Sequence, residues 1–565
     1  MGGSMKISGA EIIARTLRAH DVDLLPTLVG DHILPLCDRL PDHGIRIVDV
    51  RQDAAAVHMA DGYARSSGRT GVCATTGGPG LANAIAGLGT AHLAESPVVH
   101  LAGMQDLATD GMGNPQEVDQ VALTSPVTKA SRIVRDVRRL PTAIADAFRM
   151  SASLRQGPIH LTIPLDVQSA TVDEQEVAIA RPVALAPAPA AQADLAKVVA
   201  ILKGASRPVV IAGSALRAHV QPKMLRRFFE ASGLPLFTTE LVRGVLDDGH
   251  PLSLGYPDPI LNDAGAMISR ADVVVLLGKA QDYRVGYARP PFVSGDAQII
   301  QVDPDPAQIA RHRAVACAIV VDPGALVDQL AAVAEEIAWP DWSGWVGELQ
   351  SARAGSRDRL DRLAVDDETP LHPLRALRAL RQILPEDAAY VFDAGDFGLW
   401  GRAFFSARRL GRWMRTGPMG QLGAALPLAM GCQLAIGDAP VACIIGDGGV
   451  GFHLMELDTA VRHAIPVVVV VGNDAAWGVD RHFQIAYYGR AVATDLRPLR
   501  YDRLAAELGA YAEFAERPED LGAAFQRAVA SRRPALINIT MRSAPSPAVQ
   551  AIIARHRERI GSRSA

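Results

Sequence analysis

The fold is decided by the stretch Val441-Ala442-Cys443-Ile444-Ile445-Gly446-Asp447-Gly448, with Asn473-Asp474 following after 24 intervening residues at the end of a second apolar run, Val467-Val471. Between them, Phe452-His463 sets Leu454, Leu457 and Val461 on one helical face. Strand, helix, strand with this spacing is a crossover between parallel strands, which places two oxygen-bearing side chains at neighbouring strand ends. Magnesium favours one or two carboxylates together with phosphate oxygens and water, and a Gly-Asp-Gly turn lets the backbone approach a diphosphate without a side-chain clash. The helix over 452–463 is expected to turn its N-terminus toward those phosphates. Each half taken alone also reads as a plain strand-to-helix turn or a loop.

The same alternation extends over the whole chain. Ile47-Val50, Val72-Thr76, Val98-Ala102 and Ile159-Ile163 read as strands in the first third, and Val209-Ala212, Val273-Leu277 and Ile299-Val302 in the second. Tyr390-Phe392 and Leu536-Ile539 join the opening stretch in the last third. Ala/Leu-rich amphipathic segments separate them, so the class is α/β with parallel, doubly wound sheets. A Pro/Ala run from Ala180 to Ala191 and a charged, Trp-dotted segment from Trp339 to His372 read as linkers without periodicity. They divide the 565 residues into domains over 5–180, 192–338 and 372–545 with a tail over 546–565, in line with about 100 to 200 residues per domain.

Composition narrows the function. With 49% hydrophobic and 21% charged residues, a net charge of −4 and an isoelectric point near 6.4, nothing recruits nucleic acid or an anionic membrane, and a small-molecule substrate is expected. Cys37, Cys73, Cys317, Cys432 and Cys443 are scattered, with no C-x-x-C pair, which argues against disulfides and structural zinc and for a reducing cytoplasm. Met1-Gly2-Gly3-Ser4 reads as an appended tag ahead of a start at Met5, no signal peptide is expected, and no apolar run reaches the ~18 residues needed to cross a bilayer.

The block Gly446 to Trp477 resembles the thiamine diphosphate motif, Gly-Asp-Gly followed at a fixed distance by Asn-Asn or Asn-Asp. The resemblance covers about residues 5 to 550, and the benzaldehyde lyase and 2-hydroxyacyl-CoA lyase branch is the most similar. It implies three α/β domains: pyrimidine-binding, central Rossmann-like and diphosphate-binding. Gly446, Asp447, Gly448, Gly449, Asn473 and Asp474 would hold the cofactor, and Asp447, Asp474 and the carbonyl of Ala476 would ligate Mg2+. Asp474 stands where many members carry Asn, adding one negative charge.

The segment Val50-Arg65 resembles the one in which the family places its activating Glu; here the residue is Asp53. That carboxylate hydrogen-bonds the pyrimidine of the cofactor and promotes formation of the ylide. Asp is one methylene shorter, about 1.5 Å, and Asp53 also reads as a helix N-cap. Thr76-Gly77-Gly78-Pro79-Gly80 suits close backbone approach to a ligand, with Gly77 and Gly78 against the cofactor. By resemblance His32 and Gln116 relay protons in the substrate pocket. In Thr416-Gly423, Leu422 would wedge between the cofactor rings and the Gly420 carbonyl would accept from the aminopyrimidine. Asp396-Trp400 and Trp477-Gln484 would shape the pocket. The middle domain of such enzymes binds FAD, ADP or nothing; no G-x-G-x-x-G is present, so a nucleotide there is left open. The arginine-bearing tail reads as a solvated helix or a lid.

The implied activity is that of a carbon–carbon lyase or carboligase acting on acyloins or 2-hydroxyacyl-CoA and on aldehydes or ketones through a cofactor-bound carbanion, as a homodimer or homotetramer. A 2-oxo acid decarboxylase or acetolactate synthase-like ligase is the second reading. A weakly active cofactor-binding scaffold, motivated only by Asp in place of Glu, is the third.

Overall fold

A computed structural model of the protein describes residues 5–183 and 186–561, with the side chains of 560 and 561 left out, so the opening Met1-Ser4 and Arg563 of the tail lie outside the described residues. The strands form three six-stranded, wholly parallel sheets and one short antiparallel pair, Lys6–Ser8 with Thr171–Asp173. The strand runs named from sequence are each found to within about a residue or two. Short edge strands complete the sheets, among them Ala130–Ile133, Ser253–Gly255, Cys317–Ile319 and Trp413–Arg415; their three or four residues carry little periodicity.

Each sheet reverses its winding near its first strand. In the first, the reversal lies between Leu24–Leu28 and Gly71–Thr75; in the second, between Pro208–Ala212 and Val273–Leu277; in the third, between Ala389–Phe392 and Val441–Gly446. Ligands in open α/β sheets collect beyond the carboxyl ends at such points. The first and third carry the residues singled out from sequence.

Two expectations are corrected. The segment after Trp339 is not a structureless linker: Ser343–Leu363 is a 21-residue helix. Trp342, Trp345, Val346 and Leu349 are buried one turn apart, and the two indoles donate to the carbonyls of Ala205 (3.0 Å) and Pro208 (3.1 Å). Its apolar stripe is short and its other faces are strongly charged, so burial of the aromatic turn rather than overall composition determines the helix. The second correction concerns 452–463. One helix begins at Asp447 itself and ends at His453, and a second spans Glu456–Arg462, with a turn at Leu454-Met455 between them. The Ala180–Ala191 run holds no helix or strand where described, and the backbone of Ala190 is held on both sides by the Gln329 carboxamide.

By compactness the chain forms two units, one of residues 1–185, 416–438 and 453–467, the other of 186–415, 439–452 and 468–565. In the first, the helices Asp53–Ser67 and Ala425–Ile436 pack backbone to backbone. A Cβ on Gly431 would collide with the Met59 carbonyl, and one on Gly62 with the Leu428 carbonyl. Gly431→Ala is therefore expected to destabilise the protein by about 1 to 3 kcal/mol or more, read as a lowered urea midpoint, because overpacking a rigid crossing cannot relax locally. An unchanged midpoint would mean that the two helices separate without cost. The second unit holds the central and third sheets.

Candidate functional site

Two half-sites are built, one on each unit. In the first, Asp53 opens the helix Asp53–Ser67 but does not cap it; Gln52 is the N-cap, its side chain accepting from Ala54 N at 2.7 Å, which corrects the capping alternative. Asp53 is 2% exposed. One carboxylate oxygen accepts from Asn83 Nδ2 at 3.1 Å, and the other, Oδ1, has no hydrogen-bond partner. Burial pushes its pKa upward against the opposing bond from Asn83. A buried carboxylate with one oxygen held and the other waiting is what a donor on a bound ligand requires.

The turn before Asp53 is fixed from far along the chain, since Arg51 N donates to Glu456 Oε1 at 3.0 Å. Burial raises the Glu456 carboxyl to about 7. Near the Asp53 carboxylate lies the turn Thr76-Gly77-Gly78, which passes directly into the helix Pro79–Leu93. Gly78 has φ +59° and lies against the carbonyl and Cβ of Gln116, so only glycine fits there. A Cβ on Gly80 would stand 3.0 Å from Asp53 Oδ1.

His32 sits on the single turn Asp31–Ile33 after the strand Leu24–Leu28 and is buried. Its Nδ1 lies 3.2 Å from Thr76 Oγ1, and its Nε2 is buried without a partner. Gln116 is exposed, with φ +62°, and lies against Gly78 of the same turn. The buried carboxamide is Gln120, which donates to the Gly103 carbonyl at 2.9 Å, leaves Oε1 unpartnered and approaches Gly77 from the same side as His32. Asn83 and Gln120 were not picked out in sequence; both are single polar residues on ordinary helices, and no local pattern marks them. Gly420, at φ +65°, and the half-buried Leu422 belong to the same unit, in the loop leading to Ala425–Ile436.

Asn83→Leu is expected to move the acidic limb of the activity profile upward by about one pH unit. It removes the side-chain donor that holds the Asp53 carboxylate, and a hydrogen bond to a charged group is worth about 1.5 to 3 kcal/mol, discounted here for the backbone bond that remains and for partial relaxation. A pH–rate profile with an unmoved limb would show that Asn83 does not control this carboxylate.

In the second half-site Asp447 is buried, and its carboxyl is pushed up to about 7 by burial and then by the neighbouring Asp474 carboxylate. Asp447 Oδ2 has no hydrogen-bond partner, while the Asp447 carbonyl accepts from Tyr501 Oη at 3.1 Å. Gly448 lies under Trp477, whose ring carbons a Cβ would meet at 2.6 Å, and Gly449 abuts Asp393; Gly446 is open. Asn473 serves its own loop: Nδ2 donates to Leu499 O (2.9 Å) and Asn538 Oδ1 (3.2 Å), and Oδ1 accepts from Ala475 N. Ala475, at φ +52°, turns the chain so that buried Ala476 follows, bridged to Asp495.

Asp396 lies beside the pair. Its Oδ1 accepts from Ser546 N at 3.1 Å, its Oδ2 lies 3.7 Å from His482 Nε2, and burial raises its carboxyl to about 6. Among the described residues no three His, Cys, Asp or Glu side chains gather to hold a metal unaided. Two mutually repelling carboxylates at a strand end, one with an orphaned buried oxygen, instead fit a divalent cation that draws further ligands from backbone carbonyl and from phosphate. The residues present therefore fit a magnesium diphosphate.

Three family models match the chain. Residues 7–123 match the model of the thiamine pyrophosphate enzyme N-terminal TPP binding domain, 195–330 the central domain, and 393–539 the C-terminal TPP binding domain. The chain is similar to a probable acetolactate synthase of Mycobacterium bovis, with 32% identity over 531 residues covering 94% of both proteins. It is similar to 2-hydroxyacyl-CoA lyase 2 of Homo sapiens at 33% identity, over 89% of this chain and 84% of that protein. A probable acetolactate synthase large subunit of Methanococcus aeolicus matches at 28% over 95% of this chain and 92% of its own length.

Proposed function

The chain belongs to the thiamine pyrophosphate enzyme family, and from that premise we propose that it is a lyase or carboligase of acyloins or 2-hydroxyacyl-CoA, releasing or joining aldehydes and ketones. The observation that carries this reading is the substrate side of the first half-site. Buried His32, with a free Nε2, and buried Gln120, with a free Oε1, flank the turn Thr76-Gly78 beside Asp53. A group that can give or take a proton at a hydroxyl or carbonyl oxygen is what cleavage beside an alcohol carbon needs.

Thiamine diphosphate supplies the electron sink that makes a carbonyl carbon nucleophilic. The protein supplies the rest. Asp53 would present its free carboxylate oxygen to the pyrimidine ring, and Asn83 and the Glu456-anchored turn fix its orientation. Asp447, Asp474 and the Ala476 carbonyl would hold Mg2+ and through it the diphosphate, with Gly446-Gly449 close to the phosphates. Leu422 and Gly420 would shape the cofactor. The enzyme acts as a homodimer or homotetramer, in the cytoplasm, on a small-molecule substrate.

The test is release of aldehyde or ketone from a panel of acyloins and 2-hydroxyacyl-CoAs with Mg2+ and thiamine diphosphate present. Cofactor-dependent release supports the proposal. Similarity to acetolactate synthases over nearly the full length supports a second reading, condensation of pyruvate with loss of carbon dioxide. Silence on the panel together with carbon dioxide release from pyruvate would replace the first reading by the second.

A further inference from the structure

The segment 105–119 leaves the end of the strand Val98–Met104, passes beside the turn Thr76-Gly78 and enters the short helix Gln120–Thr124 without burying any of its residues. A loop with no core of its own is ordered by its hydrogen bonds. Its ends are fastened: Leu107 N donates to Asp166 Oδ2 at 3.1 Å, and Asp119, the cap of the short helix, accepts from Ala122 N at 2.9 Å. Between these ends one side chain gathers the chain. The Glu117 carboxylate accepts from Gly111 N (2.8 Å) on Oε1, and from Gly113 N (3.1 Å), Asn114 N (2.7 Å) and Asn114 Nδ2 (3.1 Å) on Oε2. Gly111 and Gly113 both stand at φ +82°, a conformation that glycine adopts readily. The backbone donor of Asn114, ahead of the other donors, holds the Glu117 carboxyl below its ordinary range, so this staple is charged near neutrality.

What the staple holds lies next to the site. Gln116, immediately before Glu117, has φ +62°, a strained backbone for a residue with a side chain. Its carbonyl lies 2.3 Å from where a Cβ on Gly78 would stand, so the loop rests on the turn that also borders His32 and Gln120. Strain of this kind persists where the surroundings over-determine it. The Glu117 bonds supply that on one side, and the bond from Gln120 to the Gly103 carbonyl at 2.9 Å supplies it on the other.

We infer that Glu117 is a positioning residue for the substrate: its carboxylate prefolds the segment 105–119 against Gly78, so that the exposed Gln116 meets the substrate from a backbone ordered before binding. The inference rests on the reading of the Gly77-Gly78 turn as the substrate side of the site. Without the staple only a fraction of the molecules holds the loop in its competent form. Apparent substrate affinity falls by that fraction, while saturating substrate reorders the loop. The signature is therefore in KM rather than in kcat.

The experiment compares the full-length parent with Glu117→Gln, which keeps the size and one acceptor oxygen, and with Glu117→Ala. Amide hydrogen exchange over residues 109–117 is measured without substrate, and steady-state kinetics are measured on whichever substrate the parent turns over, acyloin, 2-hydroxyacyl-CoA or pyruvate. Exchange in this segment is expected to quicken about tenfold or more in Glu117→Ala and less in Glu117→Gln. KM is expected to rise about tenfold in the alanine variant, with kcat within about threefold of the parent and the melting temperature within about 2 °C, because no core residue is disturbed. Unchanged exchange overturns the inference, since other contacts then order the loop. Faster exchange with an unmoved KM overturns it as well, because the loop then does not meet the substrate. A fall in kcat alone, or a melting temperature lowered by more than about 5 °C, assigns Glu117 to the chemical step or to global stability and likewise overturns it. Exchange is read without turnover, so its failure is distinct from failure of the lyase reading, which the substrate panel decides.

Discussion

Asp53→Asn is expected to lower turnover by roughly 10²- to 10⁴-fold while thiamine diphosphate binding, followed by circular dichroism or fluorescence titration, changes only a few-fold. The substitution keeps volume and the contact to Asn83, since an amide oxygen can still accept from Nδ2. It removes the carboxylate at the position that the turn Arg51-Gln52 and the donor Asn83 hold in place. Stability should hold or rise slightly, because the replaced group is buried with one oxygen unpartnered. A variant that retains activity within threefold would assign activation to another group. Asp53→Glu must fit one more methylene between Asn83 and Gly80, whose Cβ position lies 3.0 Å from the carboxylate. The loop has to shift to admit it, so glutamate at this position should not raise the rate of this protein above that of the parent, although it is the family's usual residue.

The second large effect concerns Asp447. Asp447→Asn is expected to lower kcat/KM at limiting Mg2+ and thiamine diphosphate by about 100-fold or more, since a first ligand contributes at least what outer partners do, ~10- to 100-fold. Stability moves the other way without metal. The folded pKa of Asp447, about 7, lies above its ordinary value, so the folded protein holds a proton there that the unfolded chain has released. Stability from this group is therefore present at low pH and is lost as pH rises through about 7. Mg2+ with thiamine diphosphate should raise the melting temperature more at pH 8 than at pH 5.5, and Asp447→Asn should abolish that difference and stabilise the metal-free protein at pH 8. An equal metal-induced shift at both pH values in the parent protein would show that the carboxylate pair is not where the cation binds.

The α/β class and the strands of all three sheets were legible because fully buried parallel strands must be continuous β-branched runs, as Val468–Asn473 and Val273–Leu277 are. Local order also placed Asp447, Asp474, Asp53 and His32 after strands, where ligands gather. Sequence misplaced what depends on burial. The helix over Ser343–Leu363 looks like a linker until Trp342 and Trp345 are seen seated on Ala205 and Pro208, 137 residues away in each case. The helix expected at Phe452 begins at Asp447, because Gly448 and Gly449 can pack helically against Trp477 and Asp393.

Partners remote in sequence were beyond any local window. Asn83 holds Asp53 across 30 residues, Glu456 holds Arg51 across 405, and Gln120 rather than Gln116 turns inward. Periodicity and motif are properties of neighbours along the chain, so the sequence by itself determined the three parallel sheets and the chemistry at their carboxyl ends. Which polar groups end up buried without an acceptor depends on packing between distant segments, and only the tertiary structure decided that.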